Sequence, residues 1–162
     1  LSSAASDVYK RQMPMNIEHY QSKDEEAVLN IWLKASEQAH AFAGVGFWCG
    51  LVEDMRQVYL PKARTWICRD GDRVMGFACL VGEGELAALF VDPERQCEGI
   101  GTALLNWVKD HSKGVLTVGV YEENPRAWQF YKRSGFEEIG SREDELTGSR
   151  EYRLEWKRPR PS

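Results

Sequence analysis

Residues 95–105 read RQCEGIGTALL, with two glycines one residue apart at the mouth of an apolar-periodic segment, just after a strand-like run that ends at Val91-Asp92-Pro93. A strand, a glycine loop and a helix in that order leave backbone N–H groups unpaired at the positive end of a helix dipole, an arrangement that binds phosphate. Two nucleotide motifs do not fit. A G-x-G-x-x-G/A fingerprint would need a small residue where Leu104 stands, and no Gly-Lys-Ser/Thr follows for a P-loop. Three more residues have types suited to proton chemistry: Glu85 at the head of ELAALFV, His40 in QAHAF with an ordinary pKa near 6.5, and Tyr131 in QFYKRSGF.

The elements that must position these groups alternate in type. NIEHY (16–20) reads as a short strand. Asp24, Glu25 and Glu26 suit a helix N-terminus, after which Val28, Ile31, Trp32, Ala35 and Ala39 recur at helical spacing. A break at AGVG precedes a second amphipathic run with Trp48, Leu51, Val52, Met55 and Tyr59 on one side, expected to stop at Pro61. RTWICR and RVMGFACLV flank Asp70-Gly71, a hairpin signal, and GELAALFV follows as a third strand. Its apolar run after Glu85 predicts a central strand covered on both faces. The RQCEGIGTALL helix has Ile100, Leu104 and Val108 as its buried stripe, and GVLTVGVY (114–121) returns as a strand. NPRAWQFYKRSG carries both helix punctuation marks, with Asn124 as cap, Pro125 at the first position and Gly135 at the end. FEEIGS and REYRLEW close as a strand pair, so the fold class is α/β (α+β).

Composition narrows the function further. The chain has 162 residues, room for one domain with a real core. Its formal net charge of −4 provides no general field toward nucleic acid or an anionic membrane, so any phosphate site must be local. Runs such as LAALFV are far shorter than a membrane span needs, and a cytoplasmic location is expected. Cys49, Cys68, Cys79 and Cys97 form neither a Cys-x-x-Cys pair nor a metal spacing with the three histidines, so reduced thiols and no metal are expected. Residues 1–12 show no amphipathic pattern, resemble translated adapter read-through, and are set apart as a non-native, disordered leader. Residues 13–158 form the single domain expected, and 159–162 a flexible tail.

Gln96-Cys97-Glu98-Gly99-Ile100-Gly101 after a strand, followed by Asn124, Ala127, Phe130, Tyr131, Gly135 and Phe136 in an N-x-x-A-x-x-F-Y-x-x-x-G-F pattern, resembles the GNAT superfamily of acetyl-CoA-dependent N-acetyltransferases. The order of elements is similar as well. QAHAFAGVGFW, YLPKARTW, GELAALFVDP and Trp156 resemble its small bacterial members of the YiaC and YjaB type. The resemblance implies a GNAT fold, a mixed central sheet of about six to seven strands flanked by four helices. It implies acetyl-CoA as co-substrate and no metal, with the pyrophosphate over the N–H groups from Cys97 to Thr102 and the pantetheine arm along Leu89, Phe90 and Val91. Gln96, Glu98, Gly99, Ile100, Gly101, Ala127 and Phe130 complete that cofactor surface. Asn124 would meet the pantetheine arm, Tyr131 the departing sulfur, and a backbone N–H near Leu89 the acyl oxygen.

A lysine-type amine is mostly protonated at pH 7, and reaching its neutral form costs about 4 to 5 kcal/mol, so a base is useful. Glu85 stands eleven residues ahead of Gln96, the offset of the catalytic glutamate in histone-type GNAT enzymes, and its apolar neighbours would raise its pKa. His40 is the competing base, or shapes an acceptor pocket with Phe42 and Trp48. The sequence departs from the family at Cys97 and Glu98. Glu98 is expected to point away from the pyrophosphate, with Arg95, Lys132 or Arg133 compensating its charge. The function implied is direct acetyl transfer in a ternary complex to a primary amine, a protein lysine first. A small-molecule amine, or a non-catalytic acyl-CoA sensor with the same fold, is the alternative. A monomer or homodimer without nucleic-acid or membrane partners is expected.

Overall fold

A computed structural model describes residues 15–44, 46–96 and 99–161. The leader expected at 1–12 lies outside them, as do Cys97 and Glu98. Seven strands, β1 (Asn16–His19), β2 (Arg64–Asp70), β3 (Arg73–Val81), β4 (Glu85–Val91), β5 (Val115–Tyr121), β6 (Glu137–Glu143) and β7 (Arg150–Lys157), form one sheet in the order β1-β2-β3-β4-β5-β7-β6. Among the described residues only β4 and β5 run parallel, the other neighbouring strands being antiparallel. Four helical segments cover the two faces: α1 (Glu25–Ala39), α2 (residues 49–62), α3 (Ile100–His111) and α4 (Pro125–Arg133).

Two apolar clusters follow from this layering. Leu86 and the stripe Ile100, Leu104, Leu105 and Val108 pack with Leu116, Val118, Val120, Tyr131 and Phe136 on one face. Val28, Ile31 and Trp32 of α1 pack with Trp48, Met55, Leu60, Ile67, Phe77 and Ala88 on the other. At α4 the punctuation acts as read: Asn124 Oδ1 accepts from the Ala127 N–H at 3.2 Å, Pro125 opens the helix, and Gly135 leaves it at φ 95°.

Four local expectations are corrected. Pro61 does not stop α2, which runs through it to Lys62 as 3₁₀, α, a π-turn at Met55–Tyr59 and a last α turn; proline's missing N–H is tolerated at the start of that turn. The π-turn rotates the face, so Tyr59 is exposed and Leu60 is buried instead. The hairpin turn is Gly71-Asp72, one residue later than read, because Asp70 pairs with Arg73 and Gly71 takes the left-handed φ of 59°. Two-sided burial belongs to β3, whereas β4 leaves Ala87 exposed and Leu89, Phe90 and Val91 only half-buried.

The cause lies in the register of β4. Cys79 pairs with Ala88 and Leu80 with Leu86, so Ala87 is an extra residue, a β-bulge that bends the strand. The pairing with β5 holds only at Glu85↔Thr117, where Thr117 N–H also donates to Gly84 O at 2.8 Å. Beyond the bulge, β4 and β5 diverge and their facing edges are left open.

At the other end, β1 and α1 are tied to β2 through charge. Asp24 is 3 % exposed and accepts from Arg69 Nη2 at 2.7 Å and from the Gln21 N–H at 3.1 Å, while Arg69 Nε donates to Glu18 at 2.8 Å. Removing one partner of a buried pair strands the other charge. Asp24→Ala should therefore lower stability by about 3 kcal/mol in a denaturant titration, several-fold more than Glu18→Ala at the exposed end of the same network.

Candidate functional site

Where β4 and β5 part, a cavity of about 580 Å³ opens, bounded by Leu89, Phe90 and Val91, the N-terminus of α3, one side of α4 along its whole length and the last turn of α1. Gly99 precedes α3 at φ 79°, a backbone state that only glycine adopts without strain. The first intrahelical bond in α3 is from the Ala103 N–H to Gly99 O, so the N–H groups of Ile100, Gly101 and Thr102 have no acceptor within the helix. Gln96, Gly99, Ile100, Gly101 and Thr102 line the cavity beside those groups. Arg95, Arg126 and Arg133 surround the same space, against Glu123, giving a local positive field in a chain of net charge −4. Arg95 also reaches Asp70 at 3.6 Å, whereas Lys132 lies over the Trp128 ring at 5.7 Å. A helix start whose first N–H groups have no intrahelical acceptor, an open strand edge and three arginines fit a pyrophosphate and an extended amide chain.

Tyr131 and Asn124 come to this cavity from α4. Tyr131 is 7 % exposed, packed edge-on between Phe130 and Phe136 at 5.1 and 5.2 Å, and burial pushes its phenol well above the ordinary 10.0. It stays a donor at neutral pH. Asn124 faces His40, with Nδ2 3.1 Å from His40 Nε2, which links the cap of α4 to the end of α1 across the mouth of the cavity.

His40 departs from the sequence expectation. Its pKa is lowered to about 4, chiefly by burial, with the Glu123 carboxylate opposing in part. Rings of Phe42, Trp48 and Tyr121 stand 5.9, 5.6 and 5.1 Å away, and Trp48 Nε1 donates to His40 O at 2.9 Å. Because Asn124 Oδ1 accepts the Ala127 N–H, its Nδ2 donates to Nε2, and the imidazole proton resides on Nδ1. That Nδ1 is buried with no hydrogen-bond partner among the described residues.

Glu85 stands apart from the cavity lining, on the opposite side of the bulge. Its Oε2 accepts from Thr117 Oγ1 at 2.6 Å and from Arg153 Nη2 at 2.7 Å. Trp48 and Phe42, with Tyr121, form an aromatic wall near the same sheet face, and Tyr121 O–H donates to Asp144 at 3.0 Å. Sequence reasoning missed Tyr121, Thr117, Arg126 and Arg153. The first two share one face of β5 and were accessible from the period-2 pattern of VLTVGVY; nothing in the sequence marks the two arginines. Among the described residues no group of His, Cys, Asp and Glu could hold a metal ion, and no helix is long and apolar enough to cross a membrane.

Comparison with known proteins points the same way. The model described as "Acetyltransferase (GNAT) family" matches residues 7–136. Peptidyl-lysine N-acetyltransferase YiaC of Escherichia coli is 30 % identical over 120 residues, 74 % of this chain and 82 % of that protein. Peptidyl-lysine N-acetyltransferase YjaB of Salmonella typhimurium is 33 % identical over 132 residues, 81 % of this chain and 89 % of its own length. The solution structure of apo-form YjaB from Escherichia coli superposes with a TM-score of 0.78 at 28 % identity, covering 91 % of this chain and 100 % of that one. The PaiA N-acetyltransferase of Thermoplasma acidophilum, solved in complex with coenzyme A, shares the fold at a TM-score of 0.75 and 16 % identity, covering 90 % of this chain and 99 % of that one.

The lowered imidazole pKa has a signed consequence. Between about 6.5 and about 4 the unfolded chain binds a proton at His40 that the folded chain refuses, so folding stability falls as pH drops through that window. In an NMR titration the His40 ring should stay neutral at pH 5.5 and titrate near 4. His40→Gln should lose less stability than the parent protein between pH 6.5 and 4.5.

Proposed function

We propose that this chain, which belongs to the acetyltransferase (GNAT) family and is an acetyl-CoA-dependent N-acetyltransferase, passes the acetyl group directly to the side-chain amine of a protein lysine within a ternary complex. The observation that carries the reading is the parting of β4 from β5 at the Ala87 bulge, because it sets an open strand edge, the free donors of α3 and the Tyr131 phenol around one cavity. Acetyl-CoA supplies the activated acyl group, a thioester whose sulfur is a good leaving group.

The N–H groups of Ile100, Gly101 and Thr102 and the guanidinium groups of Arg126 and Arg133 hold the pyrophosphate end. The open edge of Leu89, Phe90 and Val91 takes the extended arm as an added strand, which needs backbone rather than particular side chains. Asn124, already held by its own cap bond to Ala127, presents its amide to that arm, while Ala127 and Phe130 give it an apolar wall. A backbone N–H beside Leu89 meets the negative charge that develops on the acyl oxygen.

Proton transfer falls to two residues. Glu85 takes the first proton from the incoming ammonium, whose nitrogen then bonds to the acyl carbon as the carbon–sulfur bond breaks. The sulfur leaves with the electron pair and receives the Tyr131 proton; the nitrogen's second proton restores the phenol. His40 is poorly suited to be the base, since its Nε2 lone pair accepts from Asn124 and its pKa is about 4. It positions the α1–α4 junction, and with Phe42, Trp48 and Tyr121 shapes the approach to the cavity. On the acceptor side, Glu85, Glu151 and Glu155 stand with Arg153 on the face of the sheet that carries Thr117 and Gly119, a carboxylate-rich floor, paired with arginines, that suits a cationic side chain. The names of the YiaC and YjaB relatives support lysine as that side chain.

The test is thiol release from acetyl-CoA with a lysine-containing peptide blocked at its N-terminus, beside spermidine. Peptide turnover well above that with spermidine is expected. Tyr131→Phe should lower kcat by about 10²-fold while the acetyl-CoA dissociation constant, read by calorimetry, stays within about twofold. Equal small losses in both would leave Tyr131 as a packing residue and remove the acid role.

A further inference from the structure

The face of β7 opposite Leu154 and Trp156 carries charge at every second residue, Glu151, Arg153 and Glu155, in a strand paired on both sides, by β5 and β6. These side chains form a row with their neighbours. Arg142 of β6 donates to Glu151 Oε1 from Nε at 2.9 Å and from Nη2 at 2.8 Å. Arg153 Nη1 reaches the same oxygen at 3.4 Å, and its Nη2 donates to Glu85 Oε2 at 2.7 Å. Gly119 makes room for this row. A Cβ at residue 119 would sit 2.5 Å from the Glu151 carboxyl carbon, so bare backbone in β5 is what lets that side chain lie across the strand.

The row ends on Glu85, and it ends asymmetrically. Both Thr117 Oγ1, at 2.6 Å, and Arg153 Nη2 bind Oε2, while Oε1 has no hydrogen-bond partner among the described residues. Exposure rises toward the same end: the side chains of Glu151, Arg153 and Glu85 are 13 %, 19 % and 38 % exposed. Glu85 is paired with Val81 of β3 and with Thr117 of β5 just before the bulge, so its backbone is fixed on both sides and the setting of its carboxylate is left to Thr117 and Arg153. The other nearby charges are engaged elsewhere, Glu83 with Lys113 and Glu155 with Lys157.

We propose that Arg153, together with Thr117, is a positioning residue for acetyl transfer: it holds Glu85 by one carboxylate oxygen so that the other is presented to the acceptor ammonium. This rests on the assignment of Glu85 as base made above. Two donors on one oxygen leave the lone pairs of Oε1 as the free proton acceptor, and a half-buried, doubly paired guanidinium keeps that orientation through turnover. Gly119 and Glu151 act through Arg153, by seating it.

A double-mutant cycle tests this, read as kcat with the lysine peptide and as acetyl-CoA affinity by calorimetry. E85Q should lower kcat by about 10²-fold and R153M by about tenfold, with R153K recovering part of the loss and all dissociation constants within about twofold of the parent. The decisive protein is E85Q/R153M, which should be no slower than E85Q alone. A tenfold loss from R153M in both backgrounds would make Arg153 merely structural and overturn the proposal, as would an R153M variant with parental kcat. If R153M no longer binds acetyl-CoA, T117V removes the other donor from the same oxygen and is read in the same cycle. E85Q with parental activity would instead overturn the assignment of the base itself, a result distinguishable from the first because it needs no change at residue 153.

Discussion

Two parallel strands that meet at a single register pair are the constraint on which the rest of this molecule depends. The Ala87 bulge turns β4 away from β5 after Glu85↔Thr117, and the sheet pays for the lost ladder bonds with an open edge in its middle. Open backbone groups inside a fold must find partners, so such an edge is open to water or to an added strand. On one side of the opening stand α3 and α4, with free helix-start donors and arginines; on the other stands the charged floor of β5 and β7. The arginine-lined cavity and the charged row of β5 and β7 thus lie to either side of that gap.

Electrostatics divides along the same line. The chain is acidic overall, yet Arg95, Arg126 and Arg133 gather at the cavity, while the floor pairs its carboxylates in a row with Arg142 and Arg153. A positive field suits a polyanionic ligand, and a neutralised but carboxylate-rich floor suits a cationic side chain without leaving buried charge unpaired. His40 shows the cost of the crowded junction between them. Aromatic rings strip its solvent, and the imidazole is kept neutral as a link to Asn124.

Much of this was legible from local rules. The α3 stripe at Ile100, Leu104 and Val108, the Asn124 cap, Gly135 at the end of α4 and the β2–β3 hairpin follow from period, capping and turn chemistry, which need no knowledge of distant contacts. Errors arose where a neighbour overrode the local signal. Pro61 stays inside α2 because its N–H is not needed in the first turn of a short terminal segment, and Tyr59 faces solvent because a π-turn shifts the face by a fraction of a turn. An ordinary histidine pKa held for a solvated ring, and the structure surrounds that ring with Phe42, Trp48 and Tyr121.

By itself, the sequence determined the element order, the GNAT family pattern and the helix start that suits a phosphate, since each depends on residues close together along the chain. Only the tertiary structure decided that Glu85 is bound by Thr117 and Arg153 through one oxygen, that Asn124 meets His40, and that Gly119 clears space for Glu151. Those pairs are separated by 32, 68 and 84 residues for the first three contacts, and no local period or cap relates positions so far apart. They are fixed by which strands the sheet sets side by side, and by the one bulge that keeps two of them from closing.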